Sequence, residues 1–168
     1  VYIVNDDGTM VVYNSMISED VQGFTRWVTD GLQQSIAVVD DLLYTYTKRT
    51  INGADVYFLE SEDPTLTTDA SATASSTNTL TGLAHLNGAT IDVIADGAYM
   101  GEFVVSGGEV IINRQATLIT GGLNFTPIIE SMPLNIPLQN GPNAALPKRI
   151  VRAGIELFES NGALVNGQ

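Results

Sequence analysis

The single histidine of this chain, His85, sits in the run Leu83-Ala84-His85-Leu86-Asn87-Gly88. A catalytic base needs a nucleophile and an orienting acid placed with it, and a lone imidazole beside an Asn-Gly turn supplies one member of that set. Its expected role is that of a packed or surface turn residue. The carboxylates are more numerous, 19 in all. Two of them meeting across a sugar would hydrolyse a glycoside, and the sequence leaves open which pairs meet in space. Asp92 and Asp96, on or beside a short apolar run, read as outward-facing and solvated. Asp6-Asp7-Gly8 lacks the alternating oxygen ligands and the later bidentate Glu of a calcium loop, so it reads as a turn. Gly107-Gly108 and Gly121-Gly122 read as hairpin glycines, and neither GxxxxGK[ST] nor GxGxxG occurs. With no cysteine, disulfides, thiolate zinc sites and thiol catalysis are excluded. No catalytic, cofactor-binding or metal-ligating residue is assigned, no cofactor is expected, and the reading is that of a protein that is not an enzyme.

Composition narrows the partners. The net charge is −12, from 19 acidic against 7 basic residues. A phosphate-binding groove needs a basic stripe, so nucleic acid and anionic membrane are poor partners. The scattered acidity serves solubility. A hydrophobic content of 44 % with 15 % charged residues suits a folded globular chain. No apolar run approaches the roughly 18–20 residues of a membrane-spanning helix. The chain opens at Val1 in a strand pattern and closes in Asn-Gly turns, and so reads as a piece of a longer polypeptide.

The elements that would position these residues are strands. Residues 1–13 predict a hairpin about Asn5-Asp6-Asp7-Gly8. In 18–31 a cap-like Ser18 suggests a helix, but Gly23, Thr25, Val28 and Thr29 disfavour one, and Phe24, Trp27 and Val28 suit a strand. Trp27 is expected in the core. Residues 35–62 predict strands turning at Asp40-Asp41 and Asn52-Gly53, with Leu43, Thr45 and Thr47 on one face and Tyr44, Tyr46 and Lys48 on the other. The Ser/Thr-rich stretch 67–79 predicts a linker in its first half and a strand towards Leu80. Residues 80–97 predict a small meander, 99–113 a further hairpin, and 123–131 a strand with Pro127 at a bulge or edge. The prolines of 133–147 predict an extended connection, and 148–159 a strand.

The expected fold class is all-β, built of antiparallel hairpins. Residues 1–64 form a β-propeller-like segment, because tight turns on either side of Ser35 resemble one blade and part of its neighbour. Residues 65–132 form a small β-barrel or β-sandwich, and 133–168 a Pro-rich connection with a return strand packing on the β domains.

Taken in order, the series NDDGTMVVY, EDVQGFTRW, TDG and SIAVVDDLLYTYTKRTINGADVYFLE resembles the closing part of the propeller region in tail tube or nozzle proteins of short-tailed bacteriophages and prophages. The later series LTGLAHLNGATIDVIADGAYMGEFVVSGGEVIINRQA, GLNFTPIIESMPL and KRIVRAGIELFES resembles the continuation in that group. The resemblance implies a structural virion protein of the phage tail, assembled in the bacterial cytoplasm as a ring below the portal. Its partners would be copies of itself and other tail and portal proteins. It carries Gly82, Leu83, His85, Leu86, Gly88, Asp96 and Gly97 over as structural positions, and Lys148, Arg149 and Arg152 as a basic strand. Some relatives carry a label from ubiquitin-activating enzymes; without an adenylation motif or a cysteine, that chemistry does not follow. The competing reading is a β-sandwich that binds host-surface glycan, with Trp27, Tyr44, Tyr46 and Tyr57 as a stacking platform. A hydrolase would require two carboxylates converging in a cleft.

Overall fold

The computed structural model describes residues 1–19, 21–128, 137, 138, 141, 142, 152 and 154–156. The chain divides into two compact units, Val1–Thr126 and Pro127–Gln168. Among the described residues the regular structure is antiparallel β, with two single 3-10 turns at Ile17–Glu19 and Ala84–Leu86 and no α-helix.

The first unit opens with two three-stranded sheets. In one, β1 (Tyr2–Val4), β2 (Met10–Met16) and β3 (Val21–Trp27) lie in chain order. Asp7-Gly8 closes the expected hairpin, with Asn5 N–H donating to Thr9 O at 2.8 Å. In the other, β4 (Leu32–Val39), β5 (Leu42–Ile51) and β6 (Ala54–Ser61) also follow chain order. Asp40 and Asp41 both take positive φ (49° and 63°), as do Asn52 and Gly53 (49° and 78°). Positive φ at both central residues gives two-residue turns whose twist matches the strands, which is why Asp and Asn-Gly stand there.

The four-stranded sheet differs most from expectation. It comprises β7 (Asp69–Leu80), β8 (Thr90–Ala95), β9 (Ala98–Val104) and β10 (Val110–Leu123), in the spatial order β7-β10-β8-β9. It is open, and none of the described sheets closes into a barrel. The stretch expected to begin as a linker is a strand from Asp69 onwards. Ala70, Ala72 and Ala74 pack against the core, so small side chains there are packing residues. Nor do β9 and β10 form a hairpin. β8 lies between them, the connection holds only an isolated bridge from Ser106 to Glu109, and Val105 spends its backbone on Ala89 and Gly88. Gly121-Gly122 is likewise not a turn but lies inside β10. A Cβ on Gly121 would stand 2.7 Å from Leu80 Cδ2, and one on Gly122 would meet Asp69 O and Ser71 Oγ. Glycine is what lets β7 and β8 close on either side. The strand ends at Leu123, and 124–128 are irregular.

The core is built on this sheet. Leu80, Leu83, Leu86, Ile91, Val93 and Ile119 are fully buried, and Ile51 from β5 joins them with Val56 and Phe58 of β6 packed against the cluster. Burial of this kind supplies the main driving force. Trp27, expected in the core, is 37 % exposed instead and lies tilted against Tyr2.

Two polar knots fix the strands. Arg49 on β5, only 2 % exposed, grips Glu60 of β6 with Nε and Nη2 at 2.8 and 2.9 Å. Its Nη1 donates to Asp30 O at 2.6 Å, and Nη2 lies 3.4 Å from the Asp69 carboxylate at the start of β7. Thr29 donates to that same carboxylate. Gly31 fits the corner above this cluster, where a Cβ would fall 2.9 Å from Lys48 O and Thr47 Cγ2. Burial alone would lower the Arg49 pKa, but the hydrogen bond and charge of Glu60, with the charge of Asp69, outweigh it and raise it.

The second knot is Asp96. It is exposed, as expected, but not unpartnered: one carboxylate oxygen accepts Thr117 N–H at 2.8 Å and Leu118 N–H at 3.0 Å. The other meets Arg114 Nη1 at 3.3 Å, while Arg114 Nη2 donates to Ala95 O at 2.6 Å. These bonds pin the bulge of β10, where extra residues stand between the Ile111–Thr79 and Ala116–Thr77 pairs.

In the second unit, Pro137–Leu138 (β11) pairs with Gly141–Pro142 (β12). Arg152 and residues 154–156 have no regular structure. The rest of the strand expected over 148–159, with Lys148 and Arg149, lies outside the described residues.

We predict that Arg49→Met, which strands two carboxylates, lowers unfolding free energy by about 3 kcal/mol in urea titration. Asp96→Ala should cost about 1–3 kcal/mol and Asp96→Asn clearly less, because the amide oxygen still accepts from the bulge.

Candidate functional site

Strand alternation divides the β4–β5–β6 sheet into two unlike faces. Inward, β5 presents Leu43, Thr47, Arg49 and Ile51, all buried. Thr47 donates to Gln33 Oε1 at 2.9 Å, so its burial leaves no polar atom unpaired. Outward it presents Leu42, Tyr44, Tyr46 and Lys48. The register sets Tyr46 opposite Leu59, and Lys48 opposite Tyr57 and Leu32. Tyr46 and Tyr57 are therefore diagonal neighbours, their rings 5.6 Å apart and within 18° of parallel. Leu59 is 75 % exposed, Tyr57 52 % and Tyr46 42 %. Lys48 Nζ closes one end of the patch on Asp55 Oδ2 at 2.7 Å, so the charges there neutralise each other.

The structure thus places three of the four platform aromatics, Tyr44, Tyr46 and Tyr57, on one face of one sheet. Trp27 belongs to the other three-stranded sheet and is not among them. That sheet carries an apolar patch of its own, where Phe24, 71 % exposed, lies 4.9 Å from Tyr13 across β2 and β3. Sequence reasoning missed Leu59 and Phe24 as exposed apolar side chains. The signal was there for Leu59: Val56, Tyr57, Phe58 and Leu59 form an unbroken apolar run, the pattern of a strand covered on both faces.

The other chemistry-bearing residues stay apart. His85 places Nε2 2.8 Å from Ala70 O and lies T-shaped to the Phe58 ring, in the role of a turn residue. Asp7 accepts the backbone N–H and hydroxyl of Thr9, which hold its pKa below the usual carboxylate range. Asp92 accepts the Tyr99 hydroxyl at 2.9 Å, and that bond raises the phenol pKa. An open polar hollow of about 360 Å³ is lined by Asn5, Asp6, Asp7, Gln33 and Gln34, among others. Among the described residues no three His, Asp or Glu side chains group as metal ligands. Arg152 is exposed.

No protein-family model matches the chain, and no curated protein matches it. The apolar outer face of β4–β5–β6 is accordingly the candidate site on its geometry alone. Such a face can be buried against another apolar surface, or offer its phenol rings to the C–H side of a sugar.

The ion pair on this face gives a pH signature. The hydrogen bond and charge of Asp55 raise the Lys48 pKa, and the Lys48 hydrogen bond lowers that of Asp55. The contribution of Asp55 is present above its unfolded pKa and lost as pH falls through the depressed folded value. That of Lys48 is present below its unfolded pKa and lost as pH rises through the raised folded value. Thermal melts across pH should show Lys48→Met losing a small increment at neutral pH and converging with the parent at both extremes.

Proposed function

We propose that this chain is a wall-forming segment of a tail tube or nozzle protein of a short-tailed phage or prophage, acting by protein contact and not by catalysis. In this reading the two three-stranded sheets are propeller-like blades, and the four-stranded sheet is one half of a small sandwich. Its partners are copies of itself and the neighbouring tail and portal proteins, in a virion assembled in the bacterial cytoplasm.

The observation that carries the reading is the outer face of β4–β5–β6, with Leu59, Tyr57 and Tyr46 exposed on a sheet whose inner face is already occupied. An apolar patch of this kind marks a surface that another surface covers. Ring closure by head-to-tail contact requires two different patches on each copy. The Phe24–Tyr13 pair supplies a second one. A net charge of −12 adds a wall that repels DNA passing along it and lets it slide.

A second reading, a glycan-binding module, is favoured by one observation: the near-parallel, exposed Tyr46–Tyr57 pair is also what a sugar ring stacks on.

Light scattering of the polypeptide carrying this chain, alone and with portal protein, separates the two. The tail reading predicts a ring, or a monomer that assembles on the portal, and Leu59→Glu should shift either to monomer without changing the thermal melt. A monomer that ignores the portal, combined with a glycan-array signal abolished by Tyr46→Ala, would replace this reading with the second.

A further inference from the structure

The chain contains two turns of matched local sequence, Ile51-Asn52-Gly53-Ala54 and Leu86-Asn87-Gly88-Ala89. In each, the amide side chain is followed by glycine, whose nitrogen is unhindered by a side chain. That is the arrangement from which asparagine cyclises. The glycine nitrogen bonds to the asparagine Cγ, the Cγ–Nδ2 bond breaks, and ammonia leaves with the proton from that nitrogen. Solvent water then opens the cyclic imide to aspartate or isoaspartate. With an aliphatic residue before and an alanine after both pairs, their intrinsic reactivity is matched, and any difference comes from the fold.

The fold treats them differently. Gly88 N–H, the would-be nucleophile, donates to Val105 O at 2.9 Å. Asn87 N–H donates to Ala84 O, and Asn87 Oδ1 accepts Gly108 N–H at 3.3 Å, so attacking atom and target amide are both tethered. Gly108 is itself pressed on Ala84, where a Cβ would fall 3.2 Å from Ala84 Cα. Asn52 and Gly53 instead form the exposed tip of the β5–β6 hairpin. Nothing lies within 4 Å of a Cβ on Gly53. Neither the Gly53 N–H nor the Asn52 amide has a hydrogen-bond partner among the described residues.

We infer that Asn52 is a site of spontaneous deamidation in the folded protein and that Asn87 is protected by its tethers. The consequence reaches the core. Asn52 Nδ2 would stand 3.2 Å from a Cβ on Gly88, so in the aspartate product the new carboxylate sits where the two turns meet. Isoaspartate also lengthens the main chain of a two-residue turn bracketed by the Ile51–Ala54 pair, and Ile51 belongs to the buried cluster.

The test is peptide mapping by mass spectrometry after incubation at mildly alkaline pH, with folded and denatured protein in parallel. In denaturant the two sites should convert at similar rates. In the folded protein Asn52 should convert several-fold faster than Asn87 and yield isoaspartate. Aged protein should also show faster hydrogen exchange at Ile51 and Ala54, an effect Asn52→Asp does not reproduce because its main chain is not lengthened. The inference is overturned if Asn87 keeps pace with Asn52 in the folded protein, or if Asn52 keeps its amide as long as Asn87 does.

Discussion

A guanidinium withdrawn from water is costly unless its donors and its charge are both met. Arg49 meets that demand with partners from separate parts of the first unit: Glu60 on β6, the Asp30 carbonyl in the corner before β4, and the Asp69 carboxylate where β7 begins. The requirement runs in both directions. Because Arg49 cannot be left unpaired, the corner at Asp30-Gly31 must pass directly over β5, and only a glycine fits there. Asp69, the first residue of β7, lies beside Arg49, accepts from Thr29 and pairs with Leu123 of β10. One side chain thereby couples elements that hydrogen-bonded ladders alone would leave as separate sheets.

Against that internal closure stand the outer surfaces. The same alternation that sends Arg49 and Ile51 inward sends Tyr46 outward, and the register brings Tyr57 and Leu59 beside it. A strand apolar on both sides satisfies one face within the chain and leaves the other exposed. Enclosed polar chemistry is correspondingly sparse among the described residues, where Asp7, Asp92, Asp96 and His85 all have intramolecular partners. Asp96 is an exposed turn residue, and it also steadies β10 by accepting the Thr117 and Leu118 N–H groups beside the bulge.

The hairpins of the first two sheets were legible because their turns are local: positive φ at Asp40-Asp41 and Asn52-Gly53 is a property of two residues. The alternation on β5 was legible for the same reason. The four-stranded sheet was not, because its order depends on contacts between residues distant in sequence. Gly121-Gly122 has the composition of a turn, and only the approach of Leu80, Asp69 and Asp92 explains it as strand. The Ser/Thr/Ala stretch 67–79 looks like a linker for want of bulk, yet small side chains are what a strand pressed between glycines and a core requires. Trp27 failed differently: an aromatic in a strand is expected to be buried, but a three-stranded sheet has too little cover for both its faces. Of the candidate site, the tyrosines were readable and their neighbours were not, since Leu59 and Phe24 join the patches through cross-strand register.

The pairing of Asp69 with Leu123 puts the first residue of β7 beside the last residue of β10. The polypeptide therefore enters and leaves the four-stranded sheet at one point, and everything between is a closed excursion. Adjoining ends let the chain enter and leave without a long crossover, while Asp69 and the shared core tie the excursion to β5 and β6. The sheet also responds to mechanical load in a particular way. Tension drawn through entry and exit falls first on the outermost rung of the β7–β10 ladder and then on the next, so the sheet unzips rung by rung and does not resist in shear.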